Sequence, residues 1–176
     1  MDKKVLVMGG SYFIGKKIAD VMVEKNYSVY TLNRGTVKEV NNKVTNIECD
    51  RNDHKKMKSV LQYYNFDVVI DVSGLNKSQS EILFNSLNKD TLKKFIFISS
   101  SAVYDVENFK APYSEETPLK ENKYWTDYAQ NKIEAEEFLE YKCKETEIDL
   151  VILRPVYVYG ENKLCTKRKF YFWTYS

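Results

Sequence analysis

Tyr128 and Lys132 stand four residues apart in a strongly helical segment, and an apolar run ending in Ser99-Ser100-Ser101 precedes them. One helical turn brings an ammonium beside a phenol. A positive charge there favours the phenolate, so a group that ordinarily titrates near ~10 can exchange a proton near neutrality. This is a layout suited to hydride transfer with a phenol as acid/base. The same residues also fit a plainer reading, a half-buried helix face with a snorkelling lysine stem and a strand ended by short polar residues. Both readings stay open on these residues alone.

The surrounding pattern supplies the elements such a site needs. Val5-Leu6-Val7-Met8 is a continuous apolar run that stops at Gly9-Gly10, as for a parallel strand covered on both faces. Ile14, Ile18, Val21 and Met22 then recur at helical spacing from Phe13, Asn26 closes that helix, and Ser28 to Leu32 resumes a strand. Further strands are expected at Val44 to Glu48, Asp67 to Asp71, Lys94 to Ile98 and Leu150 to Leu153. Helices are expected at Lys55 to Tyr64, around Ile82, Leu83 and Leu87, and from Asp127 to Lys144 with Ala135, Phe138, Leu139 and Cys143 on one stripe. Strands alternating with helices of these lengths imply an α/β, doubly wound parallel sheet. Between Asp105 and Lys123, Pro112, Pro118 and several glutamates show no periodicity, and a solvated functional loop over the strand ends is expected there.

The bulk composition narrows the chemistry. The 176 residues suffice for one hydrophobic core, and a net charge of +2 with interspersed signs does not suggest a polyanion partner, so nucleic acid is not expected. Cys49, Cys143 and Cys165 fit neither a disulfide framework nor a metal site, which suits a reducing cytoplasm. One histidine, His54, leaves little material for a Ser-His-Asp hydrolase or a histidine metal centre, and it reads as a surface residue. Asp50, Asp53 and Asp71 lie in no loop with zinc or calcium spacing, and no metal is expected. The apolar run after Met1 is too short for a signal peptide or membrane span.

Gly9, Gly10 and Gly15 fall between the first strand and first helix, where backbone N–H groups and the helix dipole can hold a pyrophosphate. Ser11, Tyr12, Phe13 and Ile14 complete that turn. Tyr12 stands where a standard dinucleotide fingerprint has glycine, so the motif is imperfect and Tyr12 is expected along the phosphate path or closing over it. At the end of the second strand, an acid would accept the ribose hydroxyls of NAD, but the chain has Asn33-Arg34-Gly35. A guanidinium suits a 2′-phosphate, so Arg34 tilts the cofactor towards NADP over NAD; an exposed turn arginine is the plain alternative. Asp50 either accepts from the adenine amine or caps the next turn.

These motifs, with Ile98 to Tyr104, Tyr128-Ala129-Gln130-Asn131-Lys132 and Leu153-Arg154-Pro155-Val156-Tyr157-Val158-Tyr159-Gly160 in this order, make the chain resemble the extended short-chain dehydrogenase/reductases. Within them it looks like the NAD(P)-dependent nucleoside-diphosphate-sugar epimerase/dehydratase group. The Gly-Gly-Ser-Tyr-Phe-Ile-Gly and Asn-Arg-Gly versions are similar to an atypical branch that includes chloroplast stem-loop RNA-binding proteins. The resemblance spans Lys3 to Gly160 and implies a three-layer Rossmann fold with strand order 3-2-1-4-5-6. It implies that Ser100 hydrogen-bonds the reacting oxygen, that Tyr128 is the acid/base, and that Lys132 binds the nicotinamide ribose. By the same resemblance Arg51, Val72, Ser73 and Gly74 line the cofactor crevice, and the backbone at Pro155 and Val156 meets the nicotinamide. Sugar 4,6-dehydratases carry an Asp-Glu pair after this serine, whereas Ser101 and Ala102 stand here, so that dehydration is not expected. What remains is epimerisation or oxidoreduction of a nucleotide sugar, and the resemblance implies a homodimer as one arrangement, through the helices bearing the Tyr-Lys pair and the one before it.

Residues 1–160 are thus expected to form an NAD(P)-binding Rossmann domain, and 161–176 an irregular basic, aromatic tail from Asn162 to Trp173. Resembled proteins continue into a smaller substrate lobe, so a truncation point is expected near Gly160. Two competing expectations follow: a non-catalytic NAD(P)- or RNA-binding protein on the same sheet, or a fragment without activity of its own.

Overall fold

The computed structural model describes residues 3–36 and 41–160, so the tail expected at 161–176 lies outside the described residues. The elements run β1 (Lys4–Met8), α1 (Phe13–Glu24), β2 (Ser28–Asn33), β3 (Val44–Glu48), α2 (His54–Leu61), β4 (Val68–Asp71), α3 (Lys77–Ser86), β5 (Lys94–Ile98), a 3-10 turn at Ser101–Val103, α4 (Thr126–Glu145) and β6 (Asp149–Leu153). All six strands are parallel in the order β3-β2-β1-β4-β5-β6, the doubly wound arrangement the alternating pattern implies. Because β2 passes to β3 through a short connection and every later crossover lies on the other side, α1 covers one face while α2, α3 and α4 cover the opposite one.

The apolar run of β1 explains itself in this setting. Leu6 and Met8 point into the cluster under α2, α3 and α4, Val5 and Val7 into the one under α1, and all four are at most 1% exposed. A central strand buried on both faces cannot alternate polar with apolar residues. On α4, Ala135, Leu139 and Cys143 form the buried stripe, with Phe138 set edge-on against Phe84 of α3. Asp53 caps α2 by accepting from Lys56 N, and Asn76 caps α3 by accepting from Gln79 N, each satisfying an otherwise orphaned first-turn donor.

The segment from Asp105 to Lys123, expected as a solvated functional loop over the strand ends, is tied down at its base. Tyr104 pairs with Leu119 in an isolated antiparallel bridge, Asp105 N donates to Pro118 O, and Lys120 N donates to Val103 O. Asn122 is 3% exposed and donates from Nδ2 to Ala102 O. Its tip is exposed but its base is tied to the end of β5, because the carbonyls of the 3-10 turn need donors and this loop supplies them. Among the described residues no helix is long and apolar enough to cross a membrane.

Candidate active site

The C-terminal ends of β1, β2, β4, β5 and β6 open on one edge of the sheet, where open α/β folds place their ligands. Gly9 sits at φ +78, a left-handed conformation that disfavours other residues, and a Cβ there would lie 2.8 Å from Cβ of Ser73. A Cβ on Gly15 would fall on the Gly9 carbonyl oxygen, so α1 packs directly on the turn that precedes it. Tyr12, in the place of a fingerprint glycine, has φ −145 and ψ 146, extended backbone that any residue adopts, and its ring is 51% exposed. The missing glycine is therefore tolerated without strain there. The positive φ falls instead on Phe13, at 46.

At the end of β2, Asn33 is engaged by its neighbours. Its Nδ2 donates to Ser11 Oγ at 2.5 Å and to Asn46 Oδ1, and its Oδ1 accepts from Gly35 N at 2.7 Å. Asn46, from β3, also accepts from Thr31 Oγ1. Arg34 next to it is exposed. Asp50 accepts from the backbone and side-chain nitrogens of Asn52, a local turn, and the cap of α2 is Asp53. The Arg51 guanidinium is committed to protein: it grips Asp71 through two hydrogen bonds of 2.9 and 2.8 Å and donates to Ser73 Oγ at 2.6 Å. Asp71 is fully buried, so this is an ion pair out of water.

Lys132 is 3% exposed. Its Nζ donates to Gly74 O at 2.6 Å and Ile98 O at 2.8 Å, joining the ends of β4 and β5, and lies 4.6 Å from the centroid of the Phe97 ring. Burial pulls its pKa down to about 8; Asp71 and Glu136 oppose that fall and Arg51 adds to it. Ser100 caps the 3-10 turn by accepting from Ala102 N at 3.2 Å, which leaves its O–H to donate. Tyr128 is 37% exposed with its ring edge-on to Trp125, and among the described residues its hydroxyl hydrogen-bonds neither Ser100 nor Lys132. Val72 and Ser73 are half-buried and Gly74 buried at the end of β4; Pro155 is half-buried and Val156 72% exposed after β6. Of the predicted residues, Lys132 and Gly74 are brought into direct contact, as are Arg51 with Ser73 and Asn33 with Ser11.

Sequence reasoning weighed Asp71 only as a metal ligand, not as the partner of Arg51, and passed over Glu136. Asp71 closes an otherwise apolar strand, and Glu136 follows Lys132 by one helical turn, so each had a signal, a charge at a position that the pattern marks as buried. Glu136 is 1% exposed and accepts from Arg154 Nη2 at 2.7 Å and Nε at 3.1 Å and from Ser99 Oγ. Burial alone would lower the Arg154 pKa, but the hydrogen bonds with Glu136 and Tyr104 hold it above the ordinary guanidinium range.

A family model described as the NAD dependent epimerase/dehydratase family matches residues 5–172. The chloroplastic chloroplast stem-loop binding protein of 41 kDa b from Arabidopsis thaliana is 29% identical over 90% of this chain and 43% of its own length. A putative UDP-glucose 4-epimerase from Methanocaldococcus jannaschii is 27% identical over 90% of the chain and 57% of its own. Among solved structures, UDP-glucose 4-epimerase with UDP-glucose from Thermotoga maritima superposes with a TM-score of 0.80 at 24% identity, over 91% of this chain and 57% of that one. That of Bifidobacterium longum in complex with NAD+ and UDP gives 0.73 at 25% identity, over 86% of this chain and 52% of that one. The chain thus spans about half the length of the relatives it matches. With the glycine turn, the buried lysine of α4 and the wound sheet all in their places, the chain belongs to the NAD dependent epimerase/dehydratase family.

Proposed function

We propose that this chain is the dinucleotide-binding part of an NAD(P)-dependent epimerase or oxidoreductase acting on a nucleotide sugar. The observation that carries this reading is the Lys132 ammonium, buried at the carboxyl edge of the sheet and anchored by Gly74 O and Ile98 O, one turn from Tyr128. A cation is costly to bury unless something needs it there. The compact turn at Gly9 and Gly15, where a Cβ would strike Ser73 or the Gly9 carbonyl, sets the N-terminus of α1 close against the end of β1, and a helix N-terminus there suits a cofactor pyrophosphate. When bound, a nicotinamide supplies the hydride chemistry. Tyr128 then exchanges the proton of the sugar hydroxyl, Ser100 donates to the reacting oxygen, and Lys132 hydrogen-bonds the ribose and favours the tyrosinate by its charge. Pro155 and Val156 would border the nicotinamide.

The cofactor is NADP(H) in preference to NAD(H). β2 itself ends without an acid, the nearby Glu48 carboxylate of β3 packs against Gly35, Asn33 is held by Ser11 and Asn46, and Arg34 is exposed beside it. Titration with NADPH and NADH, followed by nicotinamide fluorescence, tests the reading. Tighter binding of NADPH is expected, and no binding of either at millimolar concentration refutes it.

A second reading, a protein of this fold that binds without turnover, is supported by the Tyr128 hydroxyl lying unengaged by Ser100 and Lys132. RNA is then the alternative ligand, in keeping with the name of the Arabidopsis relative. Salt-dependent RNA affinity that survives Tyr128→Phe favours this second reading.

A further inference from the structure

Ser100 and Pro155 belong to different strand ends, yet they are held as one unit. Beyond the last ladder pair, Ser99 N donates to Leu153 O at 2.7 Å and Ser101 N donates to Pro155 O at 3.0 Å, so the segments that follow β5 and β6 run on together. Backbone bonds alone leave this pair of segments unattached to α4, the helix carrying Tyr128 and Lys132. Two side chains of α4 make the attachment: Lys132 donates to Ile98 O at the end of β5, and beyond that point the carboxylate of Glu136 takes hold of both segments. Glu136 is one turn beyond Lys132 on the same helix face, receives the Ser99 hydroxyl from one segment and receives Arg154 through Nε and Nη2 from the other. Arg154 in turn lies 5.3 Å from the Tyr104 ring centroid, at the far end of the 3-10 turn that Ser100 caps.

We infer that Glu136 is the positioning residue of this site: its buried carboxylate clamps the strand ends bearing Ser100 and Pro155 to the helix bearing Lys132. The inference rests on the cofactor reading above and adds to it a residue that touches neither cofactor nor substrate. The physical case is one of geometry. A buried carboxylate gains little net stability over well-packed apolar side chains, because desolvation offsets most of the attraction. What it supplies is direction, since its oxygens accept only from donors placed along their lone pairs. Removing the clamp therefore loosens the half of the crevice around Ser100, Lys132 and Pro155. The glycine turn, which hangs on β1, β2 and Ser73, is left as it was.

The test compares two ligands on one protein. NADPH spans the whole crevice, whereas 2′-phospho-ADP, which ends at the pyrophosphate and lacks the second ribose, reaches only the glycine-turn side, and calorimetric titration gives the ratio of their affinities. Glu136→Leu with Arg154→Met removes both charges together, avoiding a lone buried ion. In this double variant the advantage of NADPH over the half-ligand is expected to fall about tenfold, with half-ligand affinity within about threefold of the parent. Should the double variant fail to fold, Ser99→Ala cuts one arm of the clamp and keeps the ion pair, with an expected fall of about threefold in the same ratio. A merely structural role would weaken both ligands alike and leave the ratio unchanged. A ratio unchanged in a folded variant, or a parent that holds NADPH no better than the half-ligand, overturns the clamp alone. A parent that binds neither ligand overturns the cofactor reading and the clamp together.

Discussion

At the glycine turn, Gly9 and Gly15 pack so closely that neither admits a Cβ, and the side chains hydrogen-bonded nearby, Ser11, Asn33 and Asn46, are neutral. At the Tyr128–Lys132 end, Arg51 meets Asp71, Lys132 lies within the fields of Asp71 and Glu136, and Glu136 meets Arg154, five charges from four separate segments, all at least mostly buried. The first end is set by tight backbone packing and fails by steric exclusion. The second is assembled across the fold and fails by loss of charge balance.

The largest effect expected from this contrast is at the turn. Gly15→Val must displace the Gly9 carbonyl, a backbone atom with nowhere to go, and should cost more than about 4 kcal/mol while abolishing NADPH binding. Thermal unfolding and titration check it; a variant that folds and binds normally would mean that the turn is not as tight as described. Asp71→Asn attacks the other end by leaving Arg51 buried without its partner, and about 3 kcal/mol is expected in urea unfolding. Arg51→Met with Asp71→Leu should recover most of that loss, because the charges then leave together.

Lys132 sharpens the comparison through pH. Its pKa is about 8 in the folded protein against 10.5 for an ordinary lysine, so the unfolded chain binds its proton more tightly. Below pH 8 the lysine is charged in both states and folding bears the full cost of burying that charge. As pH rises from about 8 to 10.5 the folded state gives up the proton first, the cost is relieved, and stability rises relative to a protein without this lysine. The difference in unfolding free energy between parent and Lys132→Met is expected to move in the parent's favour by up to about 3 kcal/mol over that window. A difference that stays flat contradicts the buried, depressed ammonium. The smallest effect belongs to the exposed rim of the neutral end. Arg34→Ala should weaken NADPH about tenfold, ~1.4 kcal/mol, and leave NADH unchanged by fluorescence titration.

Legibility in the sequence follows the same division. The bounds of β5 could be read directly, because a short apolar run, Phe95 to Ile98, after two lysines has few other solutions, whereas β3 shows only Val44 and Ile47 as buried apolar positions among polar ones. The bounds of α2 differ more, since Asp53 serves as its cap and the helix ends at Leu61, three residues before Tyr64 where the apolar pattern stops. The glycine turn and the Tyr128–Lys132 spacing were legible because each is a pattern within a few neighbouring residues. Arg51 was placed in the crevice, but its partner, Asp71, lies twenty residues away and nothing local connects them. The ties at the base of the loop after Tyr104 were hidden for the same reason, as Asn122 reaches back twenty residues to Ala102.

The amino-acid order by itself determined the alternation of strands and helices, the family, the glycine turn and the helical pair, because periodicity and short-range spacing depend on backbone geometry that every chain shares. Only the tertiary structure decided which charge answers which: that Arg51 belongs to Asp71, that Arg154 belongs to Glu136, and that the Lys132 ammonium is spent on two backbone carbonyls. Partners in a buried ion pair are chosen by proximity after the sheet has wound, and sequence distance carries no trace of that choice.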